Sequence, residues 1–385
     1  MIVFNFDFYN PTRIIFGKDR LGELDQLVPA GARVLVTYGG GSVKKYGTLD
    51  KVKAALGGRE VYEFGGIEPN PKYNTLSKAV EVVRENNIDF LLAVGGGSVM
   101  DGTKFIAAAA PYKGEPVNLL KIGLSKVKAA IPLGTVVTLP ATGSEMNNGC
   151  VITHEDKKFP YFSKLLFPQF SILDPTLTFT LPPEQVANGI VDTWVHTCEQ
   201  YVTYPAEGRL QDRMAEGILQ TLIEVGKKTI DNPTDYDARA NLVWCATMGL
   251  NGLIAVGVPQ DWTAHMIGHE LTAMFGIDHG KTLAILQPSI WKVLKEHKHA
   301  KLLQYAERVW QITGGDEASR IDLAISKTRD FFESLGIKTH LADYNVNADK
   351  INDIVKALEK HGLTALSETR KVTLAVSRQI LEGAM

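Results

Sequence analysis

The stretch Phe90-Leu-Leu-Ala-Val-Gly-Gly-Gly-Ser98 is an apolar run of strand length that breaks directly into three glycines and a serine. Arg33-Val-Leu-Val-Thr-Tyr-Gly-Gly-Gly-Ser42 repeats the same word upstream. Helical patterns over 48–56, 72–87 and 98–110 separate these runs from one another, from Glu60-Val-Tyr-Glu-Phe64 and from the β-branched segment Ala130 to Leu139. Strands alternating with helices in this rhythm predict an α/β domain whose parallel sheet is covered on both faces. We expect 130–139 to be its last main strand. Cys150 to His154 and Ser171 to Leu173 are then expected to form a short peripheral pair around a polar turn.

After Asp174-Pro175 the pattern changes to a period of 3.6 almost throughout, which predicts an all-helical second half. Pro183, in Thr180-Leu-Pro-Pro183, opens a helix running to about Val202. Further helices are expected over 210–230, 236–254, 260–274, 281–295, 299–312, 318–335, 348–360 and 374–383. A chain of 385 residues exceeds what one core sustains. We therefore expect two domains, 1–178 and 179–385, with a cleft between them.

The formal net charge of -2 and the lack of a basic run argue against nucleic acid as a partner. The first residues carry Asp7 and no basic leader, so no signal peptide is expected, and the most apolar region is interrupted by Pro132, Gly134 and Pro140. Cys150, Cys198 and Cys245 are an odd, scattered set that suits buried thiols in a cytoplasmic protein. A membrane partner is not expected.

A glycine-rich turn after a strand lets backbone N–H groups approach a pyrophosphate, and the next helix N-terminus adds a favourable field. Gly39, Gly40 and Ser42, with Gly95, Gly96, Gly97 and Ser98, are thus phosphate-site candidates, although neither copy is a strict GxGxxG. Either copy alone also suits a tight turn that binds nothing. Asp101 falls in the first turn of the following helix, near a nucleotide ribose or simply complementing the helix dipole. Thr138 and Thr142, in Thr138-Leu-Pro-Ala-Thr-Gly-Ser144, supply hydroxyls at another strand end, on the edge where open α/β sheets bind ligands.

Asp192 and His196 are four apart on the helix expected over 183–202, so both leave one face. That spacing suits a metal-ligand pair, but taken alone the pair reads as an ordinary Asp–His hydrogen bond on a helix surface. His265 and His269 repeat the spacing, and Gly276-Ile-Asp-His279 follows in the turn to the next helix. In His265-Met-Ile-Gly-His269-Glu270 the glutamate follows the second histidine, so the zinc-protease HExxH does not apply. One carboxylate and three imidazoles make a compact site for a divalent first-row metal, with room for a substrate oxygen. His154, His297, His299, His340 and His361 read as surface or turn residues.

These residues resemble the iron-containing, or group III, alcohol dehydrogenases, in the branch of NADPH-dependent aldehyde reductases and butanol dehydrogenases. The resemblance spans the chain through Pro11–Gly17, Tyr38–Lys45, Gly65–Pro71, Gly95–Asp101, Thr138–Glu145, Asp192–His196 and His265–His279. It implies a Rossmann-like N-terminal domain, an all-α C-terminal domain, a cofactor in the intervening cleft and a homodimer. It further implies Asp192, His196, His265 and His279 as ligands of one Fe2+ or Zn2+ per subunit, His269 beside metal and nicotinamide but outside the ligand set, and Lys158 as a cofactor contact. The proton is expected to arrive through water and the cofactor ribose hydroxyls, with His269 as a catalytic relay. NAD-preferring relatives often carry an acid at the end of the first strand, where this chain has Tyr38-Gly39, so NADP(H) is expected, with Lys44 or Lys45 near the 2′-phosphate. The activity implied is hydride transfer between nicotinamide C4 and a short- to medium-chain aldehyde or primary alcohol. Alternatives are glycerol-dehydrogenase-like polyol oxidation with NAD, dehydroquinate-synthase-like chemistry, and a nucleotide-binding protein without catalysis.

Overall fold

The structure, a computed structural model, describes residues 2–124, 127–155 and 157–385. It divides into two compact units, Tyr9–Leu181 and Pro182–Met385, with the stretch up to Phe8 grouping with the second. The expected division at 178 had assigned that stretch to the first domain.

In the first unit, β1 (Arg13–Phe16), β2 (Arg33–Tyr38), β3 (Glu60–Phe64), β4 (Phe90–Gly95), β5 (Leu133–Val137) and β8 (Phe170–Leu173) form one six-stranded sheet in the order β1-β8-β5-β4-β2-β3. Every pairing in it is parallel. Alternation along the strands divides the core in two. Leu35, Leu91, Ala93 and Leu133 pack against one layer of helices, while Val34, Val36, Leu92, Val94 and Val136 pack on the other side. The inner strands β2, β4, β5 and β8 are buried on both faces, so they read as near-continuous apolar runs.

Two expectations fail here. Phe170–Leu173 is not peripheral: it runs inside the sheet between β1 and β5, its Phe170 ring stacked on Phe90 at 6.0 Å in the space that Gly134 leaves open. Residues 149–154 (β6) pair instead with Lys157–Phe162 (β7) in an antiparallel hairpin. The two lysines and Pro160 of β7 hide its strand character, and such residues are tolerated in a strand that, among the described residues, pairs on one side alone. The edge strand β1 was not anticipated either.

The second unit is helical apart from a short hairpin pairing Ala365–Leu366 with Val372–Thr373, which the all-helix reading missed. The helix Pro183–Tyr201 is buried along nearly its whole length, with Trp194 set among Tyr305, Trp310, Phe331 and Phe332. The helix expected over 236–254 stops at Gly249, and the one expected from 260 begins at Thr263 because Trp262 takes a left-handed φ of 65°. Among the described residues, no helix is long and apolar enough to cross a membrane.

Candidate metal centre and nucleotide-binding edge

Three helices converge on one point of the helical unit. Pro183–Tyr201 brings Asp192 and His196, Thr263–Phe275 brings His265 and His269, and His279–Val293 begins with His279. Gly276, at φ 68°, ends the second helix and turns the chain into the third. The third lies against the first so closely that a Cβ on Gly280 would stand 2.6 Å from the carbonyl oxygen of Asn188. Only glycine permits that approach, and it carries the neighbouring His279 to Asp192.

Asp192 Oδ1 is the hub. It lies 3.5 Å from His196 Nε2, 3.7 Å from His265 Nε2 and 3.7 Å from His279 Nε2. Asp192, His265 and His279 each offer a ligand atom within 4.8 Å of the others. The His196 ring stacks on His265 at 4.6 Å, and Trp262 stands edge-on to both. Burial alone would raise the Asp192 carboxyl, but the imidazoles of His196, His265 and His279 outweigh it and hold the group well below the usual carboxylate range. Burial pulls His265 down, yet Glu199 and Asp192 together push it up to about 9.

The donor set fits a divalent cation. Asp192 Oδ1 and His265 Nε2 are both buried and make no hydrogen bond, facing each other across a gap too long for one. Two such atoms are expensive to bury unless they share a third body, and mixed oxygen and nitrogen donors suit a first-row metal. His269 lies at the margin, half-buried, its ring centroid 5.3 Å from that of His279 and 6.4 Å from that of His265. His361, expected at a surface or turn position, lies in a turn with its side chain buried and Nδ1 2.9 Å from Glu270.

In the sheet unit, β2 and β4 are neighbours whose next strands, β3 and β5, lie on opposite sides of them. This is the topological switch point, where an open α/β sheet leaves a crevice at its carboxyl edge. Both glycine turns sit there, and Thr138 and Thr142 follow the adjoining β5. A Cβ on Gly97 would come within 2.9 Å of Thr142 Cβ, so the turn after β4 and the loop after β5 are in close contact. Ser98 Oγ accepts from the backbone of Asn70 at 3.2 Å.

Asp101 has internal partners rather than an open face. One oxygen accepts from Ser144 Oγ at 2.7 Å and the other from Val151 N at 2.8 Å. Beside it the buried Lys104 ammonium donates to Ser144 Oγ, Asn147 O and Gly149 O, each at 2.9 Å. Burial pushes Lys104 down to about 8 against the opposing charge of Asp101. Lys158 stands on β7, opposite Thr153.

Sequence reasoning missed several residues. Glu199 binds His265 Nδ1 from the same helix as Asp192, and its signal was its place seven residues on, one face and two turns away. Glu63 reaches the end of β2 from the adjacent strand, accepting from Tyr38 Oη at 3.2 Å and pairing with Lys44 at 3.2 Å and Lys53 at 2.7 Å. A carboxylate is therefore present beside Tyr38, supplied by β3 rather than by the end of β2, and two lysines offset it.

Residues 11–175 match the model of the iron-containing alcohol dehydrogenase family, and 186–382 match that of the C-terminal region of the same family. The chain is 57% identical over 384 residues, 99% of each chain, to the NADPH-dependent aldehyde reductase YqhD of Escherichia coli K12. The crystal structure of E. coli K-12 YqhD is similar with a TM-score of 0.98 at 56% identity, covering 100% of both chains. That of NADH-dependent butanol dehydrogenase A from Thermotoga maritima gives a TM-score of 0.93 at 35% identity, covering 100% of this chain and 99% of the other.

Proposed function

The chain belongs to the iron-containing alcohol dehydrogenase family, and from that premise we propose that it is an NADP(H)-dependent alcohol dehydrogenase and aldehyde reductase acting on short- to medium-chain aldehydes and primary alcohols. The observation that carries the reading is the buried cluster at Asp192 Oδ1, where two unbonded donor atoms face each other between three imidazoles. Asp192, His196, His265 and His279 would hold Fe2+ or Zn2+, which would polarise a carbonyl oxygen as a Lewis acid while NADPH supplies hydride.

The chain's own part is binding, orientation and proton handling. Backbone N–H groups of the two glycine turns take the pyrophosphate, and Ser42 with Lys44 or Lys45 accepts the 2′-phosphate. Asp101 and Lys104 hold the loop of Ser144 so that Thr142 stays against Gly97. Trp262 covers His196 and His265 from one side and limits water there. His269 is the proposed proton carrier, donating through an imidazole nitrogen to the product alcohol oxygen.

Metal analysis coupled to NADPH consumption over an aldehyde series tests the reading. About one metal per chain and reduction of butanal that chelation abolishes are expected. Glycerol oxidation with NAD, or tight NADPH binding without turnover in the metal-loaded chain, would refute it.

Assembly and compartment belong to the same proposal. Ile2, Phe4, Phe6 and Phe8 expose their side chains, an apolar patch that a second copy would cover in a homodimer. A monomeric mass by light scattering would remove that part. Three free, buried cysteines support a reducing cytoplasmic setting.

A further inference from the structure

We propose that Glu199 is the positioning residue that sets the tautomer and orientation of His265 for metal binding; this rests on the reading of Asp192, His196, His265 and His279 as a metal centre. Glu199 is 2% exposed and lies on the helix Pro183–Tyr201, on the face that carries Asp192. Its Oε1 accepts from the backbone N–H of Ala264 at 2.6 Å, and its Oε2 meets His265 Nδ1. The Ala264 group can only donate, which fixes Oε1 as an acceptor, and with the carboxylate ionised Oε2 accepts from His265 Nδ1. A neutral His265, the form that binds a metal, then carries its one proton on Nδ1. That leaves the Nε2 lone pair directed at Asp192 Oδ1, where neither atom has a hydrogen bond.

The surroundings hold this geometry from a second direction. Asp261 donates its backbone N–H to the Glu199 carbonyl at 2.8 Å, and its Oδ1 accepts from Thr263 N at 3.1 Å, where the His265 helix begins. Asp261 Oδ2 pairs with the buried Lys298 ammonium at 2.9 Å. Lys298 in turn reaches Val202 O and Glu368 Oε1, each at 2.9 Å. The two helices that carry Asp192 and His265 are thus pinned to one network, and Glu199 is the member that touches a ligand ring.

A neutral amide of the same shape separates this role from packing. In Glu199→Gln the NH2 must face either the Ala264 N–H, donor against donor, or His265 Nδ1. The second arrangement drives the imidazole proton onto Nε2, where it blocks a metal.

Co2+ titration of metal-depleted wild type and Glu199→Gln, followed by d–d absorption, is the test, with NADPH affinity and metal-free thermal unfolding measured on both. Co2+ affinity should fall about 10–100-fold while the other two readouts stay unchanged. Equal Co2+ affinity overturns the proposal, as does a drop in metal-free stability that accounts for the loss. Imidazole 15N NMR of the unsubstituted Zn2+-loaded chain gives a second check that needs no variant. His265 should be protonated at Nδ1 and metal-bound at Nε2, and the reverse overturns the assignment. If wild type takes up neither Co2+ nor Zn2+, the metal-centre reading itself has failed. Uptake by wild type with an unaffected variant removes Glu199 alone.

Discussion

The proposed nucleotide edge and the proposed metal centre of this chain are made of different material. The nucleotide edge is built from backbone: two strand-to-helix turns, Gly39–Ser42 and Gly95–Ser98, each continuous in sequence and placed side by side because β2 and β4 are paired. The metal centre is built from side chains on three helices that meet at Asp192 Oδ1. A backbone site should tolerate changes of charge nearby and fail when a Cβ closes the turn. A side-chain site should fail when a donor atom is lost, with the fold intact. Substitutions that separate these two failures test whether the distinction is real.

The largest effect is expected at the hub. Asp192→Ala removes the atom that three imidazoles share, and it also removes the charge that those imidazoles hold ionised. Losing an outer partner of a ligand already costs about 10–100-fold in metal affinity, so losing the hub should exceed roughly 100-fold. Metal content after dialysis should fall to background and aldehyde reduction with it, while NADPH binding and far-ultraviolet circular dichroism stay as in wild type. Weakened NADPH binding in this variant would break the separation between the regions.

The same division explains what was legible in the sequence. The glycine turns stand out because each is a local word, with strand, turn and helix in order. Asp192 with His196, and His265 with His269, stand out because i and i+4 share a helix face. What joins elements across space left no such mark. Phe170–Leu173 is four buried residues whose partners are set by sheet topology, and nothing in those residues says that β1 and β5 will flank them. The hairpin at 365–373 was lost among helices because its strands are two residues each. Glu199 had a periodicity signal but no partner until residues 261–265 folded back on it. Glu63 left no mark at the end of β2 because it belongs to β3 and reaches Tyr38 only through sheet pairing.

A smaller effect is expected from Gly97→Ala. The added methyl would meet Thr142, whose Cβ lies 2.9 Å from the ideal position, and overpacking of this kind costs about 1–3 kcal/mol. The turn must move, so the dissociation constants for NADPH and NADH should rise together, by about tenfold for each 1.4 kcal/mol transmitted to the site. Co2+ affinity should not change. Fluorescence titration with both nucleotides checks this. A loss confined to NADPH would place Gly97 in contact with the 2′-phosphate rather than in the shared pyrophosphate cradle.

The smallest effect concerns the one place where side chains act on the backbone site. Lys44 and Lys53 both pair with Glu63, and they hold its carboxyl below the usual range, Lys53 contributing most. The cluster carries one more positive than negative charge, in the turn where NAD-preferring relatives often place an acid. Lys44→Ala should remove that surplus and lower the preference for NADPH over NADH by a factor on the order of five, since exposed pairs are weak and screened by salt. Glu63→Gln should move the ratio the other way, because it frees Lys44 for the 2′-phosphate while leaving the glycine turn untouched. Ratios of kcat/KM for the two nucleotides, measured at low and high salt, decide the matter. Opposite shifts that shrink at high salt assign cofactor choice to this cluster. Equal ratios in both variants would mean that the backbone turn alone selects the nucleotide, which would make the contrast between the two regions complete.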